Sequence, residues 1–101
     1  MTQAVLSRRA KHDLALAVRW IARDNPSAAR ALREAIATAA NRIGEHPELG
    51  VIRPELAEEP HRFIMLTGFP YVIVYNADRN PPLILRVLHG ARDLPIILRN
   101  L

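Results

Sequence analysis

Tyr71-Val72-Ile73-Val74-Tyr75 is the stretch on which the fold turns. Five consecutive β-branched or aromatic residues predict a strand. Apolar side chains at both parities mean that both faces of its sheet need cover. On one side, across Thr67-Gly68-Phe69-Pro70, lies a second β-type run, His61–Leu66; on the other, beyond Asn76-Ala77-Asp78-Arg79-Asn80-Pro81-Pro82, lies a third, Leu83–His89. Such short links favour an antiparallel meander.

Upstream of residue 51 the periodicity changes from two to about 3.6. After a short β-type run, Gln3–Leu6, Ser7 is placed to cap a helix that starts at Arg8, and Ala10, Leu14, Ala17, Val18 and Ile21 mark one buried face. Asp24-Asn25-Pro26-Ser27 breaks that helix, since proline holds the residue before it extended yet suits a first helical turn. Ala29, Leu32, Ile36, Ala39, Ala40 and Ile43 then mark a second amphipathic helix, ended between Gly44 and Gly50 with Pro47 barring continuation. The short connection predicts a tight antiparallel hairpin, and the alanines let the two axes approach closely. The expected fold is α+β: an N-terminal antiparallel helical hairpin packed on a small, mainly antiparallel β-sheet. A short C-terminal helix or tail follows. One hairpin covers one face of such a sheet, so the other face is left short of apolar cover.

With 101 residues, the chain is one domain, 1–101, too small for separate cofactor and substrate halves. Half of it is apolar, mostly aliphatic, which excludes a disordered chain. Zero cysteine excludes disulfides and thiolate chemistry and fits a reducing compartment. No signal peptide or membrane-length apolar run is visible, so a cytoplasmic protein without membrane association is the expectation. The net charge of +4 is carried by 13 Arg and one Lys, which suits an acidic partner. Because no helix reads as a cluster of basic residues, direct sequence-specific DNA binding is not expected.

Chemistry is sparse in the sequence. There is no serine elbow, phosphate-cradling glycine loop or metal-binding helix, and neither cofactor nor metal is expected. One constellation suits metal-free ribonuclease work: His89, Arg86, Arg62 and Arg92, with Tyr71 and Tyr75 on the strand between. A base would take the 2′-hydroxyl proton, a guanidinium would stabilise the phosphorane and an acid would protonate the leaving oxygen. Strand parity places Arg86 and His89 on opposite faces, and the plainer reading pairs these arginines with nearby carboxylates. The Glu55, Glu58 and Glu59 run reads as a solvated loop. Trp20 reads first as a core residue, and second, with Leu16, as the anchor of a partner contact.

Read in order, several short motifs resemble the ParE branch of the RelE/ParE toxin superfamily. They are Ser7-Arg8-Arg9-Ala10-x-x-Asp13-Leu14, Asp24-Asn25-Pro26-x-Ala28-Ala29, His46-Pro47-Glu48-Leu49-Gly50, Arg53-Pro54-Glu55-Leu56, Arg62, Tyr71–Tyr75 and Arg86-Val87-Leu88-His89-Gly90-Ala91-Arg92-Asp93. The resemblance implies the toxin of a bacterial type II toxin–antitoxin system, neutralised by a ParD-like antitoxin. It also implies one of two activities. ParE-like members inhibit DNA gyrase without catalysis of their own; RelE-like members cleave ribosome-bound messenger RNA with basic residues on the sheet. Lys11 is the only lysine and sits on the first helix, and no tyrosine follows Tyr75, which favours gyrase inhibition. RNA cleavage through His89, and a toxin fold without remaining activity, are the alternatives. No catalytic residue is favoured. Candidate gyrase contacts are Arg92, Leu94, Pro95, Ile96, Ile97 and Leu98. Candidate antitoxin contacts are Leu16, Trp20, Arg53, Arg62, Tyr71, Tyr75 and Arg86.

Overall fold

A computed structural model of the chain describes residues 3–93; the expected C-terminal helix or tail lies outside them. The order of elements is β1 (Val5–Leu6), α1 (Arg8–Ala22), α2 (Pro26–Glu45), a single 3-10 turn (Pro47–Leu49), β2 (His61–Met65), β3 (Tyr71–Asn76) and β4 (Leu83–His89). The architecture is the expected α+β one, two helices on a four-stranded sheet. Among the described residues, no helix is long and apolar enough to cross a membrane.

The helix boundaries follow from local chemistry. Ser7 Oγ accepts the Ala10 N–H at 3.1 Å and donates to the Leu85 carbonyl at 2.9 Å, so one hydroxyl caps α1 and ties it to the last strand. Asn25 Oδ1 accepts the Ala28 N–H at 3.1 Å, and Pro26 occupies the first turn of α2. All six apolar positions read on α2 are buried, from Ala29 to Ile43. On α1 only Ala10 and Ala17 are fully buried, while Leu14, Val18 and Ile21 pack partly against the same cluster. Trp20 corrects the sequence reading: it is 65% exposed rather than in the core. α1 packs on α2, β4 and β1, and Leu16 and Trp20 stand exposed on another flank.

The sheet runs β1-β4-β3-β2. β2, β3 and β4 form the antiparallel meander. The N-terminal run finds its partner beside the last strand, parallel to it through Val5↔Leu83 and Leu6↔Ile84. A register shift at Val74/Tyr75 leaves Leu85 as the extra residue of β4, because Val74 pairs with Arg86 and Tyr75 with Ile84. Ile84 and Val87, three residues apart, therefore both reach the core beneath the helices, with Tyr71, Ile73 and Tyr75.

The second face of the sheet carries Phe63, Val72, Val74 and Leu88. Its cover is the connection between the 3-10 turn and β2, which lays Leu56 and Ala57 on that cluster and bridges Val51 to Phe63. Two side chains in a loop cover less than a helix pair does. The shortfall of apolar cover expected from the parity of Tyr71–Tyr75 is thus localised here.

Candidate functional site

Where that cover runs out, a groove of about 730 Å³ opens, lined by Leu49, Val51, Leu56, Phe63, Met65 and Val72, with Arg42, Arg53 and His89 also at its walls. Val51 and Met65 are 60% and 74% exposed, large values for apolar side chains that line one groove. One wall is held by Tyr75, which is fully buried. Its hydroxyl donates to the Pro47 carbonyl at 2.6 Å and accepts the Gly50 N–H at 2.8 Å, which pins the 3-10 turn to β3. Burial raises the Tyr75 phenol above its ordinary pKa, so it remains a donor. Gly50 is required at this contact, since a Cβ there would lie 2.7 Å from the Tyr75 ring. Arg62 completes the wall, donating to the carbonyls of Gly50 at 2.8 Å and Glu48 at 3.3 Å.

The other candidate residues also have internal partners, and only His89 and Arg92 share a turn. Arg86 is buried and grips Asp13 of α1 with two hydrogen bonds, Nε at 2.8 Å and Nη2 at 2.9 Å. Asp13 Oδ2 also accepts the Val87 N–H at 3.0 Å, so α1 closes the edge of β4 beyond the end of β1. Hydrogen bonding to Asp13 raises the Arg86 pKa further and keeps the guanidinium charged. Its third nitrogen, Nη1, is buried with no hydrogen-bond partner. His89 sets its ring edge against Tyr71 at 5.6 Å, and its Nδ1 takes the Arg92 N–H at 3.2 Å. Arg92 in turn forms two hydrogen bonds to Asp93, whose carboxylate also accepts the His89 N–H. That Arg92 contact holds the Asp93 carboxyl below its ordinary pKa.

Arg62 pairs across from Tyr75, and His89 pairs across from Tyr71, four residues along the same strand. At ~3.3 Å per residue their backbones stand roughly 13 Å apart along β3. With Arg86 turned to α1, a base, an acid and a guanidinium do not converge on one phosphate.

The ParE toxin family, described as the ParE toxin of the type II toxin–antitoxin system parDE, matches residues 4–94. The chain belongs to the ParE toxin family. Among solved structures it is similar to one titled the chromosomal ParDE toxin–antitoxin system from P. aeruginosa, with a TM-score of 0.71 and 21% identity over 88% of this chain and 96% of that chain. At that identity the likeness is one of fold. Comparison with curated proteins finds no match.

In this ParE toxin three of the residues read as antitoxin contacts are buried. Tyr71, Tyr75 and Arg86 are 6%, 0% and 7% exposed, held inside by a ring contact, a pair of backbone bonds and an ion pair. Arg53 is exposed and lies at the groove, where it pairs with Glu55 at 2.7 Å. Leu16 and Trp20 lie on the exposed flank of α1. Leu94, Pro95, Ile96, Ile97 and Leu98 are outside the described residues, whereas Arg92 is exposed and shares a cleft of about 270 Å³ with Leu16, Arg19, Trp20 and Arg23. The groove residues Leu49, Val51, Leu56 and Met65 were not singled out in the sequence. Their signal was present only indirectly, in the excess of apolar residues on the strands they flank.

α1 corrects a further reading. Arg8, Arg9, Lys11 and Arg19 lie on it, and Arg23 caps it, so basic residues do cluster on one helix. Its single acidic residue, Asp13, is turned inward to Arg86.

Proposed function

We propose that this ParE toxin acts by binding rather than by catalysis, inhibiting DNA gyrase in the cytoplasm, and that a ParD-like antitoxin neutralises it by direct contact. The observation that carries this reading is the separation of Arg62, Arg86 and the His89–Arg92 turn, each engaged in an internal bond, so that only His89 and Arg92 are neighbours and neither Arg62 nor Arg86 joins them. Membership of the ParE family supports the same choice. The antitoxin segment takes the groove: an amphipathic stretch sets apolar side chains against Val51, Phe63 and Met65 while carboxylates meet Arg42 and Arg53 at its walls. Gyrase is contacted from the C-terminal end, by Arg92 and the aliphatic residues Leu94, Pro95, Ile96, Ile97 and Leu98. Truncation after Arg92 then removes toxicity before it removes antitoxin binding.

The deciding assay is supercoiling by purified gyrase with the toxin added. Loss of supercoiling that is restored by antitoxin supports the reading. Unchanged supercoiling together with cleavage of translated messenger RNA overturns it.

A further inference from the structure

α1 and its cap carry five cations and one carboxylate, a balance equal to the +4 of the whole chain, so the remainder of the molecule is neutral overall. Tertiary structure sharpens that imbalance. Asp13, the one carboxylate, leaves the surface to form a bidentate pair with Arg86, and its side chain is only 12% exposed. The outward flank keeps Arg9, His12, Leu16, Arg19, Trp20 and Arg23, all exposed and recurring at three- and four-residue spacing. It spans ~21 Å at 1.5 Å per residue. Asp24, at its far end, is the nearest exposed acid in sequence. Neither Arg19 nor Arg23 has a carboxylate partner among the described residues; Arg23 lies instead 5.3 Å over the ring of Trp20.

We propose that this flank of α1 is a contact surface for the phosphodiester backbone of duplex DNA. The choice of duplex rests on the gyrase reading, because the DNA met there is double-stranded. Arginine presents a planar fork that matches phosphate oxygens, and a linear row of cations without an interleaved acid suits a linear polyanion. Leu16 and Trp20 supply apolar contact for deoxyribose, and contacts to phosphate carry no sequence information, so the proposed contact is independent of sequence. An acidic peptide finds its larger apolar seat in the groove on the other face of the sheet, about 730 Å³ against about 270 Å³ for the cleft at Leu16 and Trp20.

Trp20 is the only tryptophan in the chain, which makes its fluorescence a local probe of this flank. Titrating the full-length toxin with random-sequence duplex DNA is expected to change Trp20 emission, with an affinity that falls steeply as salt rises. Arg9→Ala, Arg19→Ala and Arg23→Ala should each lower the salt slope by about one. Arg30→Ala and Arg33→Ala, on the exposed side of α2, should leave it unchanged. Three results would each overturn the proposal: silence of Trp20 at low salt, equal losses from the α2 variants, or quenching by an acid-rich peptide but not by DNA. Supercoiling assays on the same preparations separate the two readings. Gyrase inhibition without DNA binding removes this inference alone, and DNA binding without gyrase inhibition removes the gyrase reading alone.

Discussion

At the scale of single residues, Asp13 of α1 serves two successive residues of β4 at once, and that makes it vulnerable. It accepts the Val87 N–H and neutralises a guanidinium whose side chain is 8% exposed. Asp13→Ala leaves the Arg86 charge buried without a counter-ion, a loss on the order of 3–5 kcal/mol. Against a domain stability of roughly 5–15 kcal/mol that is a large fraction, and denaturant unfolding should show it. Tyr75→Phe keeps the ring and removes only the hydroxyl, leaving Gly50 N–H and Pro47 C=O unpaired in a buried place. A loss of about 1–3 kcal/mol is expected in the same measurement. Asp93 adds a pH dependence of known sign. Its folded carboxyl is held below the ordinary value near 3.9, so its contribution is complete above that pH and is lost on acidification through its folded value. The amide resonances of His89 and Arg92 should therefore move together in an acid titration, and a turn indifferent to acid would refute the assignment.

Among elements, the two faces of the sheet are covered unequally, and the proposed antitoxin groove follows from that difference. α1 and α2 bury one face with alanines and aliphatics in close contact, whereas a connecting loop half-covers the other. Met65 stands 74% exposed at the groove, so Met65→Glu leaves folding within about 0.5 kcal/mol of the parent. It places a charge where an apolar antitoxin side chain is expected, and calorimetric titration should show affinity lowered by about tenfold or more. Strand and helix limits were largely legible beforehand. The capping of α1 by Ser7, the start of α2 at Pro26 and the span Leu83–His89 all follow from local chemistry. The partner of Gln3–Leu6 was not legible, because a parallel pairing with a strand 78 residues away leaves no local mark.

For the molecule as a whole, toxicity is expected to survive His89→Ala, since the imidazole here organises a turn and shares no centre with Arg62 or Arg86. Growth arrest on induction of this variant, with gyrase supercoiling still blocked in vitro, is the expected outcome. Abolished toxicity with intact folding and antitoxin binding would restore the RNA-cleavage reading. The ribonuclease constellation shows how far sequence alone reaches. Residue type and parity nominated Arg62, Arg86, His89 and Arg92, and parity already set Arg86 apart from His89. The hydrogen-bond partners of His89 and Arg92 lie within four residues, whereas those of Arg62 and Arg86 lie 12 and 73 residues away, at distances that no spacing rule connects.

Residue order by itself determined the helices, the strands, the buried stripe of α2 and the apolar excess of Tyr71–Tyr75, because each is set by neighbours within one or two turns or along one strand. It also carried the motifs that place the chain among ParE toxins. Only tertiary structure decided that Trp20 is exposed, that Tyr75 is spent on the 3-10 turn, and that Asp13 is withdrawn from the surface to meet Arg86. The physical reason is the same in each case. Exposure and net surface charge depend on which distant groups satisfy a buried charge or cover an apolar face, and that pairing exists only once the chain has closed.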